Sequence, residues 1–158
     1  MEHEIYYCKS WFRLKKTAIG IMDEDTAKEK HIAGEPYVAL IGSTSTPYSF
    51  IEVIPDKGLI GVGFLDQQQR EYLTYQFHKK TDNQIFLSMA IHREFETDTE
   101  KVTNGTCYLF NENGNVLVRK ETFTPHSIEE MTSTFEPRNN FEKYPSFGDY
   151  SRLIVADR

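Results

Sequence analysis

A chain of 158 residues is long enough to bury a sizeable core and short enough to read as a single domain. Its net charge of −6 argues against binding a nucleic-acid backbone, which takes clustered Lys and Arg. No apolar run approaches the roughly 20 residues of a membrane span, so neither nucleic acid nor membrane is an expected partner.

Ile5 to Met22 reads as strand, with a break at Lys15-Lys16. Asp23-Glu24-Asp25 ahead of Thr26–His31 predicts a short helix whose acidic start suits the helix dipole, and Gly34-Glu35-Pro36 ends it. Tyr37–Ile41 is a further strand, and Gly42 through Pro47 is a Ser/Thr loop.

The segment from Tyr48 to Glu96 organises the chain as an antiparallel meander. Pro55-Asp56-Lys57-Gly58 is a turn with Pro presetting φ and Gly accepting φ > 0. That turn sets Val53 opposite Ile60, Ile51 opposite Val62 and Phe50 opposite Gly63, where the ring can cover the missing side chain. A loop at Gln67-Gln68-Gln69-Arg70 then pairs Phe64 with Leu73, Val62 with Tyr75 and Ile60 with Phe77. The turn at Thr81-Asp82-Asn83 predicts Phe77 against Leu87, Tyr75 against Met89 and Leu73 against Ile91. One continuous apolar face results, with Tyr75, Phe77, Leu87, Met89 and Ile91 expected in the core. Tyr72, Thr74, Gln76, His78, Phe86, Ser88, Ala90, His92 and Glu94 fall on the opposite face.

Beyond Glu96 the chain is polar, and Thr97–Thr106 reads as a loop whose Asn104-Gly105-Thr106 sequon marks a turn. Cys107–Phe110 and Asn115–Phe123 flank Asn113-Gly114, a two-residue hairpin signal that pairs Phe110 with Leu117 and Leu109 with Val118. The stretch from Phe110 to Val116 resembles a single unit of the YD repeats of large bacterial toxin shells. Ser127-Ile128-Glu129-Glu130 has the spacing of a capping box and predicts a short helix from Ser127 towards Phe135, broken at Pro137.

The tail carries Phe141 and then Tyr144-Pro145-Ser146-Phe147-Gly148-Asp149-Tyr150, an aromatic run that can latch onto a sheet. This segment resembles the C-terminal signature of small proteins encoded beside bacterial polymorphic toxins, their immunity proteins. The resemblance is confined to the tail and brings no toxin-contact residues with it. It implies a cytoplasmic protein that binds a toxin domain and blocks its active site, without catalysis or cofactor.

Residues that could carry chemistry are dispersed. Gly58, Gly61 and Gly63 lie in a strand with no helix N-terminus to receive a phosphate. His78 and His92 fall roughly 20 Å apart in the predicted register, too far to share a metal. Cys8 and Cys107 read as reduced thiols in the absence of a secretory leader pattern, and neither has flanking sequence that would activate it. The acidic runs lack the glycine and terminal glutamate of a calcium loop.

The sequence thus predicts a mainly β domain, a curved antiparallel sheet or partly closed barrel with one or two short helices. Its expected partner is a basic toxin domain, met by Tyr72, Phe86, His92, Glu94, Glu96 and Asp98 on the non-core face. A lipocalin-like carrier of a small apolar ligand is the alternative, and a small enzyme with a dispersed site is a third.

Overall fold

The computed structural model describes residues 3–158. Eleven strands form one antiparallel sheet: β1 (Ile5–Phe12), β2 (Thr17–Met22), β3 (Tyr37–Ile41), β4 (Ser49–Ile54), β5 (Leu59–Leu65), β6 (Glu71–Thr81), β7 (Gln84–Phe95), β8 (Val102–Phe110), β9 (Asn115–Phe123), β10 (His126–Thr134) and β11 (Phe141–Lys143). Their spatial order is β10-β9-β8-β7-β6-β5-β4-β3-β1-β2, with β11 added to the free start of β7. The protein is mainly β, and its sheet does not close into a barrel. Among the described residues no helix is long and apolar enough to cross a membrane.

Among the described residues one α-helix, α1 (Glu24–Ala33), sits between β2 and β3, and two short 3-10 turns occur at Pro55–Lys57 and Pro137–Asn140. The Asp23 carboxylate caps it by accepting from the Thr26 N–H, and Gly34 ends it in the left-handed region at φ 72°. Its buried residue, Ala27, joins the main core.

That core lies on one face of the sheet, from Tyr37, Ile51, Val62 and Phe64 to Tyr75, Phe77, Ile85 and Leu87. The tail covers it. Tyr150 and Leu153 are fully buried there, and Tyr144, Phe147, Ile154 and Ala156 pack around them. A turn from Ser146 to Asp149, with Gly148 at φ 86°, reverses the chain so that Phe147 stacks on Tyr7. The segment Tyr144–Tyr150 is therefore a structural latch. A smaller cluster on the opposite face stacks Trp11 on Phe50, whose ring fills the space over Gly63 as the register predicts.

Registers β4–β5 and β5–β6 match the sequence reading pair for pair. Between β6 and β7 the match ends at Phe77–Leu87, because a bulge leaves Ser88 without a partner. Beyond it Tyr75 faces Ala90 and Leu73 faces His92, in place of the expected Met89 and Ile91. Ala90 is buried in the core, while Met89 and Ile91 turn to the other face and are half-buried. One extra residue reverses every later side chain of β7.

Three further expectations are corrected. Strand β8 begins at Val102, so Asn104-Gly105-Thr106 is paired strand rather than turn. A four-residue turn, Asn111 to Gly114, shifts β8 against β9, setting Phe110 opposite Val116 and Leu109 opposite Leu117. The predicted helix from Ser127 is strand β10, paired with β9 along its whole length. Its Thr and Ile residues favour extended backbone, and β9 supplies a partner that a capping box cannot outweigh.

Candidate functional site

The Ser88 bulge puts Ala90, His92 and Glu94 on the core face of β7, two residues apart in sequence and about 7 Å apart along the strand. A second register shift, where β6 meets Leu65, leaves Tyr72 packed beside the same core. The Tyr72 ring lies 6.4 Å from His92 and 6.4 Å from Phe64, and the exposed ring of Tyr48 meets Phe64 at 6.1 Å. Burial, with Tyr48 and Asp66 nearby, raises the Tyr72 hydroxyl pKa. Of the six residues expected at a binding surface, Tyr72, His92 and Glu94 are thus brought together, on the core side of the sheet.

Glu96 and Asp98 follow in the β7–β8 loop, past the end of the strand. Arg70 fixes that loop by donating to the Glu96 and Thr99 carbonyls at 3.3 and 2.9 Å while lying 4.8 Å above the Phe95 ring. Asp66 anchors Arg70 at 2.9 Å; burial opposes ionisation of Asp66, but hydrogen bonds from Arg70 and Gln68 more than offset it and lower its pKa. Glu94 accepts from the Asn104 amide at 3.1 Å, and Asp98 from the Gln68 amide at 2.9 Å. Neutral amides orient these two carboxylates without cancelling their charge. Glu96 faces Lys101 at 3.8 Å, a loose exposed pair.

Phe86 does not belong to this surface. It precedes the bulge, points to the opposite face and is 2% exposed. Phe141 on β11 covers it at 4.8 Å, so β11 occupies the place that a partner was expected to take.

Towards the other end of β7 the same core face opens into a groove of about 740 Å³. Leu73, Tyr75, Ala90, Tyr108, Val116 and Val118 line it on the sheet, and Phe135, Asn139, Ala156 and Arg158 line it from the turns and tail. Tyr108 and Phe110 stack nearly parallel at 6.1 Å, and Phe135 meets Phe110 edge-on at 5.0 Å. Asn140 donates to the Leu87 carbonyl at 2.9 Å, and Arg158 pairs with Glu142 at 3.0 Å, which holds the tail-side wall. Tyr108, Val116 and Val118 were missed as site residues. Their apolar alternation was visible in the hairpin, but the one-residue register error hid which side faced the core.

A second depression, about 390 Å³, lies among Trp11, Arg13, Lys16, Gln69, Glu71, Thr74 and Arg93. Its charges are largely satisfied internally: Arg13 bridges Glu52 and Glu71, Lys16 meets Glu100 at 2.8 Å, and Arg93 donates to Thr74 at 2.9 Å. Neither cysteine is activated. Burial pushes the Cys8 thiol up to about 11 and raises that of the half-buried Cys107.

These features define an open antiparallel meander with a concave face that is apolar at its centre and acidic at one rim. Compared with models of known protein families, curated proteins and solved structures, the chain has no match.

Proposed function

We propose that this protein is an inhibitor of the immunity type, which binds a basic toxin domain and occludes its active site without chemistry of its own. The observation that carries the reading is an aromatic groove on the strand that leads into a carboxylate-rich loop. Along β7, Ala90 floors the aromatic groove, and His92 and Glu94 lead directly to Glu96 and Asp98. An apolar centre that can be desolvated, beside a charged rim that steers encounter, is the anatomy of a protein-binding surface. The tail's resemblance to immunity proteins supports the same reading, although its Tyr144–Tyr150 segment packs on the core and only Ala156 and Arg158 further on reach the groove wall.

Co-expression with a toxin domain sought among the neighbouring genes tests it, and the absence of any such gene counts against the reading. Restored growth and a stable one-to-one complex are expected. A toxin that stays lethal and never co-purifies would sink the proposal.

A carrier of a small apolar ligand is the second reading, and the volume and aromatic lining of the groove favour it. Titration with an anilinonaphthalene sulfonate discriminates the two. A carrier binds the dye in the groove and loses it when Val118→Trp fills the space.

A further inference from the structure

We propose that the free edge of β10 accepts an extended, basic segment of a partner protein as an additional strand. The sheet ends at β10, and β9 pairs it along one side only. Every residue from His126 to Thr134 is exposed. Such an edge presents a row of unpaired N–H and C=O groups, and a strand is the structure that completes them.

The other edge of the sheet is protected. Strand β2 is six residues long, and Gly20 interrupts it with left-handed backbone at φ 67°. Strand β10 is nine residues long and contains no Gly, Pro or Lys. Its outer side is left regular.

Charge selects the occupant. Glu129 and Glu130 stand at the middle of the strand on opposite faces, opposite Lys120 and Arg119 of β9, yet among the described residues neither makes an ion pair. Ile128 and Met131 flank them, 41% and 46% exposed. A second copy is disfavoured: every two-fold register that uses most of the strand sets Glu129 or Glu130 opposite or diagonal to its own twin. An antiparallel partner with two successive basic residues between apolar ones instead meets carboxylates on both faces and apolar side chains at both ends. The proposal holds for any protein presenting such a strand and does not require it to be a toxin.

The test uses the full chain and a capped hexapeptide, Thr-Val-Lys-Arg-Val-Thr, titrated by fluorescence anisotropy. Saturable binding is expected, with slowed hydrogen exchange at β10 amides. Exchanging charge with Glu129→Lys and Glu130→Lys should weaken it about tenfold, and a Glu-Glu peptide should recover binding to that variant. Methylating alternate peptide amides should abolish binding in one phase and spare it in the other, because only every second amide of a strand faces the edge. No saturation up to millimolar peptide, indifference to the charge exchange, or equal loss in both methylation phases overturns the proposal. So does a peptide-free dimer that the Glu129 and Glu130 substitutions dissolve.

Discussion

At the scale of single residues, the fold depends on a few contacts that admit no substitute. The Phe50 ring lies where a Cβ on Gly63 would stand, within a strand pair that cannot separate. Gly63→Ala should therefore cost about 1–3 kcal/mol, the usual penalty for overfilling a packed site. Leu87, 3% exposed beside the bulge, should cost about 2–5 kcal/mol on truncation to Ala. Urea midpoints for the two variants check both figures, and a Leu87→Ala chain as stable as wild type would contradict the core assignment. The Phe50–Gly63 pairing was legible in the sequence because two short turns fixed the register around it. The Ser88 bulge was not, since serine is at home in a regular strand and neither proline nor glycine marks the extra residue. Its effect was to move Met89 and Ile91 out of the core and to place His92 and Glu94 on the face opposite to the expected one.

Among the elements, the tail and α1 meet at a buried hydroxyl cluster that couples the latch to pH. Tyr37 and Tyr150 hydroxyls lie 2.8 Å apart, and His31 Nδ1 lies 2.8 Å from the Tyr37 hydroxyl. Burial raises the pKa of Tyr7, Tyr37 and Tyr150 well above the ordinary value near 10. Above that value the unfolded chain releases protons that the folded chain keeps, so stability should fall as pH rises past about 10. Burial lowers the pKa of His31 instead. Its contribution is complete above the ordinary histidine value near 6.5 and should be lost as pH falls through the lowered one. Thermal melts from pH 4 to 11 should trace a plateau between those limits, and His31→Asn should flatten its acid side. Deleting residues from Asn140 onward removes two fully buried side chains, Tyr150 and Leu153, and should cost at least about 3 kcal/mol with no partner present. A truncated chain that melts like wild type would return the tail to the binding surface. The aromatic latch was legible in the tail's composition, as α1 was in its caps. Strand β10 was not, because Ser127 and Glu130 imitate a helix start and only the presence of β9 decides between the two conformations.

For the molecule as a whole, the proposed inhibitor role makes the rate at which a basic partner reaches the concave face the decisive quantity. Glu94 and Asp98 are held by neutral amides, so their charge projects beyond the loop instead of being spent on a neighbouring cation. Association under such a field should slow as salt rises, since ions screen exposed charges beyond roughly 10 Å at 0.1 M. Glu94→Lys combined with Glu96→Lys should lower the association rate about tenfold at low salt and flatten its salt dependence, leaving dissociation nearly unchanged. Tyr72→Ala and Tyr108→Ala remove aromatic surface from the centre and should act the other way, speeding dissociation about tenfold or more. Phe86→Ala is the control that separates this surface from the face first inferred. Phe86 is buried under Phe141, so its loss should lower stability and leave both rates alone while the chain stays folded. Stopped-flow mixing with the co-expressed toxin domain at several salt concentrations measures both rates. If Phe86→Ala speeds dissociation while Tyr72→Ala and Tyr108→Ala do not, the partner docks on the opposite face and the concave surface has another role.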